Sequence, residues 1–180
     1  MAMDARDEDL ARAAAGGDGT AFSALLERHY DRVFALAFRL TGARAEAEDL
    51  TQDVCAALPA KLGSYDGRAS VRTWLYRVVV NAAHDRRRRQ RTRARAAEGW
   101  GDWEVSRRAA MAEAGDRAAW LMASLAALPE EIRDTLALTL DGTSQAEAAE
   151  VLGVAPGTIA WRVSEAKRRL AAMRAEEERA

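Results

Sequence analysis

"QAEAAEVLGVAPGTIAWRV", residues 145–163, sets Ala149, Gly153 and Ile159 at intervals of four and six. Two helices that cross closely need a small residue at the crossing. They also need a glycine in the turn, where φ is positive, and a branched apolar residue where the second helix packs back. These three residues meet those needs, and Leu152, Val154 and Val163 supply apolar neighbours. Ser144 and Glu147 have the spacing of a capping box that opens the first helix. Gly153 ends it, and Pro156 falls in the first turn of the second. The stretch predicts a helix-turn-helix whose second helix presents Thr158, Trp161, Arg162, Glu165 and Lys167 outward. Its free N–H groups suit a phosphate, and Arg162, Lys167, Arg168 and Arg169 can neutralise backbone charge. A plain helical hairpin with a solvated charged face fits the same pattern.

The rest of the chain decides between them. Of its 180 residues 49% are apolar and only three are proline, which favours helices. No apolar run approaches the roughly 20 residues that span a bilayer. The acidic opening "MAMDARDEDLARAAAGGDG" lacks the apolar core of a signal peptide, so a cytoplasmic location is expected. One cysteine, Cys55, excludes an internal disulfide and reads as a small buried residue. His29 and His84 show no metal-ligand spacing, and no metal or cofactor is expected.

The net charge of −1 hides an asymmetry. Residues 1–60 hold 6 Lys/Arg against 11 Asp/Glu, whereas residues 61–97 hold 11 against 2. Residues 98–116 and 117–180 return to balances of −3 and −2. The basic segment is where a polyanion partner is expected.

Three helical stretches occupy the N-terminal half. In "DGTAFSALLERHYDRVFALAFRL" the apolar residues Phe22, Leu25, Leu26, Tyr30, Val33, Phe34, Ala37 and Phe38 fall three and four apart, and Gly42 stops the run. In "ARAEAEDLTQDVCAALPAKL" one stripe carries Ala47, Leu50, Val54, Ala57 and Leu58, the other face Glu46, Asp49 and Asp53. Pro59 and Gly63 mark its end. "GSYDGRAS" reads as a loop, with Tyr65 offering a face for an unstacked base. Then "SVRTWLYRVVVNAAHDRRRRQRTRAR" starts at Ser70, a plausible N-cap. Its apolar stripe is Val71, Trp74, Leu75, Val78, Val79, Ala82 and Ala83. Its other face shows Arg72, Arg77, Asn81, His84 and Arg88. Residues 86–95 contain seven arginines, held in a fixed direction because the helix continues beneath them.

Together these readings predict an all-α chain of two small helical domains joined by an acidic linker. The expected parts are an acidic lead over 1–17, a first domain over 18–95, the linker over 96–116, a second domain over 117–174 and a tail over 175–180.

The strings "RLTGARAEAEDLTQDVCAALPAKL", "TWLYRVVVNAAHDRRRR" and "ALPEEIRDTLALTLDGTSQAEAAEVLGVAPGTIAWRVSEAKRRL", in this order, resemble bacterial RNA polymerase sigma factors of the extracytoplasmic-function group. The resemblance implies that the first domain is sigma region two and the second region four. It implies that Asp49, Gln52 and Asp53 dock on the β′ coiled coil of core RNA polymerase, with the β flap as a further polymerase contact. It places Tyr65, Arg77, Asn81, His84 and the arginines Arg86, Arg87, Arg88 and Arg89 at the −10 element of promoter DNA. It places Thr158, Ala160, Trp161, Arg162, Ser164, Glu165, Lys167 and Arg168 at the −35 element. An anti-sigma factor is an implied partner, and the acidic linker would run toward the RNA exit path.

Ala160, Trp161, Ser164 and Glu165 depart from the family's usual recognition helix, which carries more cations there. A carboxylate can accept from cytosine N4, so an unusual −35 sequence is expected. Ala155 stands where a serine cap is common. The extra N-terminal and middle domains of housekeeping sigma factors are not expected. No nucleophile–base pair or phosphate loop suggests an enzyme. A stand-alone helix-turn-helix regulator and a polymerase-binding decoy without promoter activity remain open beside the sigma factor.

Overall fold

The computed structural model describes residues 6–96, 123–125, 127–177 and 179. The predicted linker falls outside them from residue 97 onward. The main helices among the described residues are α1 Asp7–Ala15, α2 Gly19–Thr41, α3 Arg44–Leu62, α4 Val71–Ala96, α5 Glu130–Thr139, α6 Gln145–Leu152 and α7 Pro156–Glu177, and residues 123–125 and 127 are helical as well. Among the described residues there is no strand.

Local signals start and stop these helices. Asp18 accepts from the backbone N–H of Thr20 and Ala21 and caps α2. Gly42 closes α2 at φ +76°, a conformation that disfavours a Cβ. Ser70 Oγ takes the Thr73 N–H at 3.1 Å and caps α4 as expected. Ser144 and Glu147 form a reciprocal capping box on α6, and Gly153 ends it at φ +66°.

Four features depart from the sequence reading. Residues 7–15 of the acidic lead form a helix, α1, that buries Leu10 and Ala11. Asp7 anchors it, with its carboxylate 2.8 Å from His29 Nε2 and 2.9 Å from Arg28 Nη1. Burial pushes the Asp7 carboxyl up, but the Arg28 and His29 bonds outweigh it and hold the group below its ordinary range. Second, α3 runs through Pro59 to Leu62. A proline this late in a helix forfeits one backbone bond on an exposed face, and Gly63 alone is the stop. Third, α7 continues through Ala175 and Glu176 to Glu177, a little under one further turn beyond the expected end at 174. Fourth, Cys55 is half-buried rather than buried, with its thiol pushed up by burial.

Helices α1–α4 surround one apolar core, and a smaller core of Leu125, Leu128, Ile132, Leu136 and Ala166 ties α5 to α7. The two halves also meet. Ala137, Leu138, Ala148, Ala149, Val151 and Ile159 belong to the same buried cluster as the N-terminal core. Tyr76 and Val80, outside the predicted stripe of α4, are each 1% exposed. They lie four apart on the face that the C-terminal half covers. Burying such side chains is worth roughly 1.5–3 kcal/mol each.

Candidate polymerase and nucleic-acid interfaces

On α3 the residues Asp49, Gln52 and Asp53 stand in one exposed row. Leu50 and Val54 of the same helix face inward at 1% exposure each, which fixes the row outward. Arg86 of α4 reaches over to both acids, 3.0 Å from Asp49 and 3.5 Å from Asp53. Glu46, one turn earlier, is half-buried, and burial raises its carboxyl despite the nearby Arg86.

The loop between α3 and α4 is built by its own side chains. Tyr65 packs against Trp74 with ring centroids 5.6 Å apart, and its hydroxyl donates to the Ala69 carbonyl at 2.8 Å. Asp66 accepts the Arg68 N–H at 3.1 Å, with Gly67 at φ +75° between them. One face of Tyr65 is therefore used for packing, and the ring is half-buried.

Helix α4 distributes its charges over two faces. Asn81, Arg86, Arg89 and Arg93 line a groove of about 560 Å³ against α3, floored by Leu50, Val54 and Val78. Arg88 is exposed and pairs with Asp85 at 3.1 Å. Arg72, Arg77, His84 and Arg87 instead meet carboxylates of the C-terminal half. Arg72 lies 2.7 Å from Glu147 and Arg77 3.1 Å from Glu150. His84 lies 2.7 Å from Asp134, and Arg87 donates to both oxygens of the same carboxylate at 2.9–3.0 Å. Arg87 also approaches Glu130 at 3.4 Å, and Arg91 pairs with Glu130. Asp134 is 2% exposed. Burial pushes its carboxyl up, yet the bonds from His84 and Arg87 hold it below its ordinary range. A fifth carboxylate extends the seam: Asp141 accepts the Tyr76 hydroxyl and lies 3.0 Å from Arg39. Burial, then Asp141, drives the Tyr76 hydroxyl to a higher pKa.

His84, Glu130 and Asp134 bring one ligand atom each within 4.8 Å of one another. The Arg87 guanidinium already sits on these carboxylates and meets their charge where a metal ion otherwise would.

The helix-turn-helix is formed by α6 and α7 as the opening stretch predicts. Ala149 is 4% exposed and Ile159 is fully buried, while Gly153 makes the turn. On α7, Ala160, Trp161, Ser164, Lys167 and Arg168 are exposed, and Thr158 and Arg162 are half-buried. Trp161 is 62% exposed, unusual for so large an apolar ring. Glu165 is spoken for: its carboxylate takes Arg168 at 2.6 and 2.8 Å and Arg169 at 2.6 Å. Those bonds hold its pKa down to about 2.

The sequence reading thus finds the α3 row and the α7 face. It does not find that the carboxylates Glu130, Asp134, Glu147 and Glu150 lie opposite α4; of these only Glu147 belongs to a motif, the capping box, which says nothing of α4. The only sequence signal was their sign, acidic residues in the domain expected to bind DNA.

Comparison with known proteins agrees with this arrangement. The family model for Sigma-70 region 2 matches residues 25–93, and that for Sigma-70, region 4 matches residues 118–170. The ECF RNA polymerase sigma factor SigM of Mycobacterium tuberculosis is 37% identical over 167 residues, covering 92% of this chain and 83% of the relative. CnrH of Cupriavidus metallidurans, an RNA polymerase sigma factor, is 31% identical over 178 residues, covering 93% of both. Among solved structures, CnrH in complex with the cytosolic domain of CnrY superposes with a TM-score of 0.70 at 28% identity. It covers 93% of this chain and 96% of that one. Two matched regions on most of the chain, in the order of its two helical halves, leave one reading: the chain belongs to the extracytoplasmic-function RNA polymerase sigma factors.

Proposed function

We propose that this alternative sigma factor divides its work among three surfaces of its own. The α3 row Asp49, Gln52 and Asp53 docks on the β′ coiled coil of core polymerase, with the β flap as the seat for region four. The 63–70 loop with Tyr65, together with Asn81 and the cations of α4, takes the −10 element. Helix α7 enters the major groove of the −35 element with Thr158, Ala160, Trp161, Arg162, Ser164 and Lys167, and Arg168 supports the phosphate side. It is an initiation factor and not an enzyme; bond-making belongs to the polymerase.

The observation that carries the reading is the α3 row, three exposed polar side chains on a helix whose other face is core. A weak region four is sufficient in this scheme. Tethering to polymerase raises its effective concentration at the −35 element. The CnrY complex of the relative CnrH supports an anti-sigma factor as partner here. A cytoplasmic site of action follows from polymerase, and no helix among the described residues is long and apolar enough to cross a membrane.

Gel filtration with purified core polymerase tests the docking. Stoichiometric co-elution, reversed by excess housekeeping sigma factor, is expected. A folded chain that elutes apart from core would point instead to a stand-alone DNA-binding regulator.

A further inference from the structure

Region two carries the strongest positive charge of the chain, yet much of it faces inward. On α4, Arg72, Arg77 and Arg87 each meet a carboxylate of region four. Among the described residues, Arg89 and Arg93 have no ion-pair partner. The carboxylates come from α5 and α6, separated from their partners by 47 to 75 residues. They follow α4 in order: Glu147 lies at Arg72, Glu150 at Arg77 and Asp134 at Arg87. A row of anionic oxygens along a cationic helix has the chemistry of a nucleic-acid backbone.

We propose that region four is a built-in inhibitor of region two, its Asp134, Glu147 and Glu150 occupying in cis the α4 cations that would otherwise hold DNA phosphates. The inference rests on the assignment of α4 to DNA made above. The recognition face of α7 stays exposed in this closed chain, so the inhibition falls on region two. Promoter binding must break the row. Elements centred near −10 and −35 lie about 25 base pairs apart, roughly 85 Å of duplex at 3.4 Å per pair. A compact chain of this length has a radius of gyration of only about 16 Å. Residues 97–122 number 26 and reach at most about 90 Å, enough for the halves to part. DNA phosphates or a polymerase surface then replace the carboxylates one by one. Arg89 and Arg93 are the cations already available for first contact.

The test uses the full chain with Asp134→Asn, Glu147→Gln and Glu150→Gln combined. A control neutralises the exposed acids Glu27, Asp31 and Glu131 instead. Inter-domain distance is read by energy transfer between dyes at Asp31→Cys and Lys167→Cys in a Cys55→Ser background. Affinity for a 20-base-pair fluorescent duplex of arbitrary sequence is read on the unlabelled chains across a salt series. The expected result is loss of the high-transfer state and at least tenfold tighter binding in the latch variant alone. The slope of log K against log salt should steepen by about 2.7, three cations at about 0.9 each. A latch variant that stays closed would overturn the inhibitor while leaving the DNA assignment of α4 intact. One that opens without gaining affinity would overturn both. An equal gain in the control would also overturn it, as a plain effect of net charge. Circular dichroism confirms that helicity is kept. Should the buried Asp134→Asn unfold the chain, Glu147→Gln with Glu150→Gln is read by the same criteria, with a slope change of about 1.8.

Discussion

Arg87 of region two holds Asp134 of region four in a forked pair, Nη2 to Oδ2 2.9 Å, with side-chain exposures of only 10% and 3%. Removing one partner of a buried ion pair commonly costs about 3–5 kcal/mol, because the other charge is left without water or counter-charge. Here a second route exists. Region four can lift away and rehydrate Arg87. Asp134→Asn alone is therefore expected to shift the closed form by about 3 kcal/mol toward an open one. Small-angle scattering should show a larger radius of gyration, and circular dichroism the same helicity. An unchanged radius would mean that the apolar seam around Tyr76 and Val80 suffices to hold the halves.

Gly153 turns the chain between α6 and α7 at φ +66°, with open space where a Cβ would stand. The cost of a side chain is thus backbone strain and not collision. Gly153→Ala should lose about 1 kcal/mol in urea unfolding, and Gly153→Asn clearly less, since asparagine tolerates this region. Equal losses would show that contact, not conformation, sets the requirement.

Glu147 is held at a pKa of about 2 by the Ser144 hydroxyl and backbone and by Arg72, against an ordinary 4.5. A folded pKa below the unfolded one stabilises the protein above the unfolded value, and the gain is lost as pH falls. Its share is complete above about pH 4.5 and fades toward pH 2. Glu147→Gln should flatten this part of the acid limb in urea unfolding followed from pH 6 to pH 2. An unaltered limb would remove Glu147 from the account of acid stability.

Asp49 is 63% exposed and pairs with Arg86 across the α3–α4 groove. Asp49→Arg should leave the melting temperature nearly unchanged, as surface substitutions do. Affinity for core polymerase should fall at least tenfold. Unaltered affinity would take Asp49 out of the docking row.

Glu165 offers a different lesson, because its oxygens already accept three N–H groups from Arg168 and Arg169. We expect Glu165→Gln to alter −35 affinity alike for every base substitution, by loosening those arginines. A change confined to one position would restore the expected contact with a base such as cytosine.

Much of this was legible in the sequence, and the reason is range. The capping box Ser144–Glu147, the glycine turns and the outward row on α3 are encoded within one or two helical turns. Helix α1 escaped notice because its stability comes from Asp7 meeting His29, 22 residues away. The α4 face escaped for the same reason: Arg77, His84 and Arg87 were expected to face DNA and Arg72 only to lie on the outer face, because their carboxylate partners lie 47 to 75 residues off. Tyr76 and Val80 fell outside the predicted stripe because one helix here buries two faces, whereas periodicity shows the dominant one.

The most direct test of the account is transcription in vitro. Core polymerase, this chain and sheared bacterial DNA are combined, and the 5′ ends of the transcripts are mapped. The account predicts initiation at a small set of sites absent with core alone, lost with Trp161→Ala or Asn81→Ala. Firm binding to core with no new start sites would contradict it, and would make the chain a ligand of polymerase that does not initiate.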